Sequence, residues 1–253
     1  MRFTSLGSGS RGNATLVEAG TTCLMIDCGF STVEVERRLA RLEYEAENIS
    51  GILVTHEHSD HLQGVGRFAR KYSLPVWMTS GTYAGCRQEI FPELNLISSH
   101  ESFSMQDIHV CPFPVPHDAR EPCQFTFDDG RNKFAILTDT GSSTAHIEEM
   151  IDGVDALMLE CNHDTEMLMQ GSYSRALKER VGGQYGHMNN QQAAKLLASI
   201  DHSRLQTLIA AHLSQENNSE TLVWSVLGDV MEGEQGRIRI ADQEGSMGWF
   251  ELN

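Results

Sequence analysis

His56-Glu57-His58-Ser59-Asp60-His61 puts four metal-type side chains within six residues. Directly before it, Gly51-Ile52-Leu53-Val54-Thr55 is apolar and reads as a strand that delivers the cluster to a loop at its C-terminal end. His56 and His58, one residue apart, can face one ion. Asp60 and His61, at the start of the next helix, can face a second ion nearby. Imidazole with carboxylate suits Zn, Mn or Fe, whereas structural zinc sites favour thiolates and no Cys sits in the cluster. The stretch therefore reads as a catalytic metal centre.

The same grammar recurs along the chain. Apolar strands are expected at residues 108–115, 133–137, 156–159 and 208–211, and each is followed by a metal-type residue: His117, Asp139, His163 and His212. Strand C-termini in a layered α/β fold converge on one edge, so these residues can share a site with the early histidines. Further strands are expected at 2–6, 14–18, 22–27, 52–55, 75–79 and 125–127. Ser31-Thr32-Val33-Glu34 has the capping-box pattern of a helix start. Leu62, Val65, Ala69 and Tyr72 give the apolar face of a helix after the histidine cluster. Other helices are expected over 82–90 and from Asn189 or Asn190 to Ile200. The tail, 237–241 and 248–252, reads as a hairpin around Glu244-Gly245.

A chain of 253 residues with 40% hydrophobic content can build one sizeable core. There are no repeats, low-complexity tracts or Pro/Gly-rich linkers, so we expect a single domain, 1–253. The start Met1-Arg2-Phe3-Thr4-Ser5 lacks the features of a secretory signal. Apolar runs such as Ala156-Leu157-Met158-Leu159 are far too short to span a bilayer. We expect a soluble, cytoplasmic protein with no membrane partner. The six cysteines form no C-x-x-C pair and read as buried, reduced thiols. A formal net charge of −16 argues against a broad basic surface that grips nucleic acid. It leaves room for a phosphodiester substrate, because two divalent ions make a small positive cleft on an acidic body. A small anionic substrate is also compatible. Oligomeric state is not legible.

The series H-x-H-x-D-H, followed in order by single His, Asp and His residues after later strands, resembles the metallo-β-lactamase superfamily. The resemblance covers nearly the whole chain, since the first strands with Asp27-Cys28-Gly29 also fit. It implies the α/β class and a four-layer αββα sandwich with a dinuclear site. By the same resemblance His56, His58 and His117 bind one divalent ion, Asp60, His61 and His212 bind the other, and Asp139 bridges them. The implied nucleophile is a metal-bridging hydroxide, which Asp60 can orient. Finer features are similar to the YycJ/WalJ-type hydrolases, a group associated with DNA exonuclease activity. They are Gly7-Ser8-Gly9-Ser10-Arg11-Gly12-Asn13-Ala14, Pro116-His117-Asp118-Ala119, Thr138-Asp139-Thr140-Gly141, Glu160-Cys161-Asn162-His163-Asp164, Gly186-His187-Met188-Asn189-Asn190 and His212-Leu213-Ser214-Gln215-Glu216-Asn217-Asn218. Arg11 stands where that group usually has Ser, and Met188-Asn189 where it has Leu-Ser.

Gly186-His187 is also similar to the segment that carries a proton-donating His in tRNA-processing phosphodiesterases of the superfamily. A general acid that protonates the leaving alkoxide is what phosphodiester cleavage needs. The plain alternative is a histidine that only caps the following helix. The loop at residues 7–13 can hold a phosphate through backbone N–H groups, with Ser10, Arg11 and Asn13 as contacts, or can simply turn the chain. His163 is either a substrate contact or a packed histidine. Asn217 either touches substrate or belongs to a turn. Asp27 is expected to support a metal ligand from behind. The function expected is a metal-dependent phosphodiesterase, a DNA exonuclease. The alternative is a small-molecule hydrolase of the same fold for thioesters, lactones or cyclic phosphodiesters.

Overall fold

Short runs of apolar and β-branched residues, buried at most of their positions, supply the strands of this protein. The computed structural model describes residues 1–253 apart from Arg87, Gln88, Gly233 and Ser246. Its contacts fall into two compact units: Met1–Pro114, Ala119–Asn132 and Asp242–Asn253 form the first, Val115–Asp118 and Lys133–Ala241 the second.

The first unit begins with β1 (Arg2–Gly7), β2 (Ala14–Ala19), β3 (Thr22–Ile26) and α1 (Thr32–Arg41). It continues with β4 (Gly51–Leu53), α2 (Ser59–Leu62), α3 (Val65–Tyr72), β5 (Pro75–Thr79) and α4 (Ser80–Gly85). Then come β6 (Glu93–Ile97), β7 (Phe103–Met105), β8 (Ile108–Pro114) and β9 (Cys123–Asp128). The second unit holds β10 (Lys133–Leu137), α5 (Ala145–Ile151), β11 (Ala156–Glu160), α6 (Thr165–Gln170) and α7 (Arg175–Val181). It closes with α8 (Asn190–Ser199), β12 (Thr207–Ala211), α9 (Glu220–Val230) and β13 (Ile238–Ile240), after which β14 (Phe250–Glu251) returns to the first unit.

In the first unit one sheet runs β14-β1-β2-β3-β4-β5-β6. Its early strands pair antiparallel, while β3 to β6 run parallel, which brings their C-terminal ends to one edge. Strands β7, β8 and β9 form an antiparallel run. Helix α1 starts where the sequence signals it: the Ser31 side chain accepts from the Glu34 N–H. The apolar faces of α1 (Val35, Leu39) and α3 (Val65, Phe68, Ala69) pack in one core with Leu16, Met25, Ile52, Val54 and Val76 of the sheet. Arg38, only 5% exposed, reaches out of α1 to donate to Gln243 O at 2.8 Å and to Leu6 O, while its Nε meets Glu34 at 2.6 Å.

The second unit is built on four parallel strands, β10 to β13. Every residue of β11 is buried, as expected for a parallel strand covered on both faces. Helix α8 begins at Asn189 with a reciprocal capping box to Gln192. Its residues Ala193, Leu196 and Leu197 are buried, as are Val223 and Leu227 of α9.

Two expectations need correction. The tail is not a hairpin. Strand β13 pairs in parallel with β12 of the second unit, and β14 pairs antiparallel with β1 of the first. The turn signal was sound: Gly245 sits at φ 66°, where a Cβ would lie 2.0 Å from Leu6 O. A local turn does not choose strand partners, however, and the edges of β12 and β1 offer buried pairing. The helix expected over 82–90 spans Ser80–Gly85, and Arg87 and Gln88 lie outside the described residues. Among the described residues no helix is long and apolar enough to cross a membrane. All six cysteines are unpaired, five of them buried and Cys111 half-buried.

Phe68 is fully buried in the first unit's core. Phe68→Ala is expected to cost about 3–5 kcal/mol of unfolding free energy, read from the denaturant midpoint. A loss under ~1 kcal/mol would show that the α3 face does not carry this core.

Candidate metal centre

Strands β3 and β4 run in parallel register, with Ile26 opposite Leu53, so Asp27 and Thr55 leave the sheet side by side. Asp27 is 3% exposed and accepts three hydrogen bonds. Thr55 donates its N–H at 2.8 Å and its hydroxyl at 2.8 Å, and His61 Nδ1 lies 2.8 Å away. A proton fixed on Nδ1 makes His61 Nε2 the donor atom for a metal. The Thr55 hydroxyl oxygen is also 3.0 Å from His56 Nδ1, so one buried carboxylate orders two imidazoles. The His56 ring centroid lies 4.6 Å from that of His58 and 4.2 Å from that of His61. His58 is the N-cap of α2, and Asp60 follows in its first turn with Oδ2 at 3.4 Å from His61 Nε2. The first unit thus gathers His56, His58, Asp60 and His61.

Strands β10, β11 and β12 also end in register, Leu137 opposite Leu159 and Glu160 opposite Ala211. Their ends carry Asp139, Glu160 and His212. Ligand atoms of Asp139, Glu160, His187 and His212 all lie within 4.8 Å of one another. Glu160 is fully buried at the centre. Its Oε1 lies 2.7 Å from His187 Nδ1 and 3.2 Å from His212 Nδ1, and its Oε2 accepts from the N–H groups of Thr140 (3.0 Å) and Met188 (3.2 Å). Burial alone would raise the Glu160 carboxyl, but the adjacent His187, with the His212 hydrogen bond, outweighs it and holds the group at about 2. Burial likewise works against a charged His187, yet Glu160, with Asp139 behind it, raises this imidazole above its ordinary value. His117 joins the same unit: its Nδ1 lies 3.1 Å from Gly186 O and its ring centroid 5.3 Å from that of His187.

The backbone is strained where these donors sit. Asp27 (φ 59°), Asp139 (φ 51°) and His212 (φ 56°) all occupy the left-handed region, each just beyond a strand. Side chains rarely adopt it, and such outliers cluster at functional sites because they aim a group that a relaxed chain would turn away.

The donor chemistry fits divalent ions such as Zn, Mn or Fe: buried and half-buried imidazoles and carboxylates, with the Nδ1 atoms of His56, His61, His117 and His212 engaged by the protein and no thiolate among them. Glu160 is the residue that sequence reading missed as part of the site. Its signal was present, an acid closing a wholly apolar strand between two other strands that end in donors. The loop at 7–13 spends backbone N–H groups on its own residues and on Asp60 and Gln243. The N–H groups of Gly9, Gly12 and Asn13 go to Asn13 Oδ1, Gly9 O and Asp60 O, and that of Arg11 goes to Gln243 Oε1. Asn13 Nδ2 lies 3.1 Å from His61 Nε2, Arg11 pairs with Glu244 at 3.1 Å on the surface, and Ser10 is exposed. Asn217 is buried in a turn, its carbonyl accepting from Asp164 N at 2.8 Å. His163 is buried too, and burial lowers its pKa from the ordinary imidazole value.

Asp27→Asn keeps the side chain's shape and tolerates the left-handed backbone, so it removes chiefly the charge. It is expected to weaken metal binding about 10–100-fold in a chelator competition while leaving the metal-free protein folded. Unchanged affinity would show that Asp27 does not set the donor geometry.

A family model for the beta-lactamase superfamily domain matches residues 22–212. The chain is 36% identical over 236 residues to exodeoxyribonuclease YycJ of Bacillus anthracis, covering 92% of this chain and 89% of that protein. It is 31% identical over 227 residues to exodeoxyribonuclease WalJ of Streptococcus pneumoniae, covering 87% and 84%. Among solved structures it resembles the metallo-β-lactamase fold protein YhfI of Bacillus subtilis, with a TM-score of 0.76 and 16% identity over 99% of this chain and 98% of that one. The last likeness shows the fold, the α/β metallo-β-lactamase fold expected from the sequence. The chain therefore belongs to the metallo-β-lactamase superfamily, as a metal-dependent hydrolase of the YycJ/WalJ type.

Proposed function

We propose that this protein is a dinuclear metal-dependent phosphodiesterase that degrades DNA from an end, with residues 1–253 acting as one catalytic domain. His56, His58 and His117 would hold one ion, Asp60, His61 and His212 the other, with Asp139 shared between them. When bound, such a pair supplies an activated water and a clamp on the oxygens of the phosphate. The protein's own side chains then have definable tasks. Asp27 and Glu160 orient imidazoles, Asp60 accepts a hydrogen bond from the attacking water, and His187 hands a proton to the departing alkoxide.

The observation that carries this reading is the Glu160–His187 pair at 2.7 Å beside Asp139 and His212. A carboxylate on Nδ1 keeps the imidazole protonated and turns Nε2 into the acid. An alkoxide leaving group needs such an acid far more than a thiolate does, which supports a phosphodiester over a thioester. The names of the relatives in Bacillus anthracis and Streptococcus pneumoniae support DNA as that diester. Six unpaired thiols support a cytoplasmic location.

The purified protein with Mn²⁺ or Zn²⁺ should shorten end-labelled single- or double-stranded DNA, and His58→Ala should abolish cleavage. His187→Ala should lower kcat roughly 10²–10⁴-fold with metal content unchanged. Turnover of a small thioester or lactone without DNA cleavage, indifferent to His187→Ala, would instead favour the small-molecule hydrolase.

A further inference from the structure

We infer that the pocket between α6 and α7 of the second unit is a nucleoside site, which takes the base and sugar next to the phosphate under attack. The inference rests on the phosphodiesterase reading and adds to it a place for the substrate's nucleoside. The pocket has a volume of about 640 Å³, within the range typical of small-ligand sites. His163, Leu168, Met169, Arg175, Lys178 and Gly182 line it.

The floor is polar and committed. His163 is 2% exposed, and its Nδ1 lies 3.3 Å from Asn162 Oδ1. Its Nε2 has no hydrogen-bond partner among the described residues. That atom points toward Gly182, where a Cβ would stand 3.9 Å from it. A ring nitrogen that opens onto a pocket offers a ligand one hydrogen-bond position. The floor is also tied to the donor cluster: Asn162 Nδ2 donates to His212 O at 2.9 Å, and Glu160 lies three residues before His163 on the same segment.

The wall and rim suit a nucleotide. Leu168 is buried, whereas Met169 is 64% exposed and offers an apolar surface on which a flat base can lie. In a chain of net charge −16, helix α7 brings two cations, Arg175 and Lys178, and one acid, Glu179, to the pocket. At the rim Lys178 donates to Met169 O at 2.7 Å, and Arg175 pairs at 2.8 Å with Glu179, which also lines the pocket. Cations at the rim, an apolar wall and one ring nitrogen at the floor match phosphate, base face and base edge, in that order. An acyl chain would leave the floor nitrogen and the Lys178 charge unanswered.

Gly182→Leu fills the pocket and touches no proposed metal ligand. Its backbone, at φ −86°, accepts any residue, and the new Cβ would stand 3.3 Å from Lys178 O and 3.4 Å from Leu168 Cδ2. Lys178→Glu reverses the rim charge from the surface and decides the matter if Gly182→Leu fails to fold. The metal-loaded full chain would be titrated with thymidine 5′-monophosphate, and assayed on a labelled oligonucleotide and on bis(4-nitrophenyl) phosphate, which has no nucleoside. Both variants should bind the nucleotide at least about 10-fold more weakly and raise KM for the oligonucleotide by a similar factor, with bis(4-nitrophenyl) phosphate turnover unchanged. Folded variants with wild-type nucleotide affinity and wild-type KM would overturn the pocket while leaving the phosphodiesterase intact. A uniform fall on all substrates would overturn it as well. If the wild type binds the nucleotide and the variants do not, yet DNA is never cut, the pocket stands and the phosphodiesterase reading falls.

Discussion

One buried carboxylate at the end of a parallel strand orders two histidines in each compact unit. Asp27 does so after β3, where it collects the Thr55 N–H, the Thr55 hydroxyl and His61 Nδ1. Glu160 does so at the end of β11, where it collects His187, His212 and two backbone N–H groups. Burying such groups without partners would be costly, and each is instead saturated with donors. The saturation fixes which nitrogen of each imidazole keeps its proton. Metal affinity, and with it the hydrolase chemistry, depends on that choice.

Parallel pairing explains why the carboxylates stand where they do. In register, β3 beside β4 and β10 beside β11 and β12 end on common edges, so residues far apart in the chain emerge together. The strands themselves are apolar and contribute only position. Left-handed backbone at Asp27, Asp139 and His212 then bends each exit so that the side chain faces its neighbours rather than continuing the strand. Core packing of α1 and α3 against the first sheet supplies the stability that such strain at Asp27 requires.

Much of this was legible in the chain. The six residues from His56 to His61 announced a metal centre, because few other uses require that density of imidazole and carboxylate. Asp139 and His212 were legible through their place after apolar runs, and Asp27 for the same reason. Glu160 escaped because one acid at the end of an apolar run looks like a strand boundary, and its importance lies in which neighbours the sheet register gives it. The loop at 7–13 could hold a phosphate or simply turn the chain, and its N–H groups go to Asn13, Gly9, Gln243 and Asp60, partners that sequence spacing does not reveal. The tail misled for a related reason, since a glycine turn fixes direction while strand pairing is decided by distant edges. Helices α5, α6 and α7 are six or seven residues long, too short for a periodic signal to emerge.

Long-range proton–nitrogen correlation NMR of the metal-free protein, with nitrogen-labelled histidine, reads the imidazole tautomers directly. His61, His117 and His212 are expected to carry their proton on Nδ1, and Asp27→Asn should shift His61 alone among the three. A proton on Nε2 of His61 and His212 in the wild type would contradict the role of the buried carboxylates and, with it, the assignment of those nitrogens as metal donors.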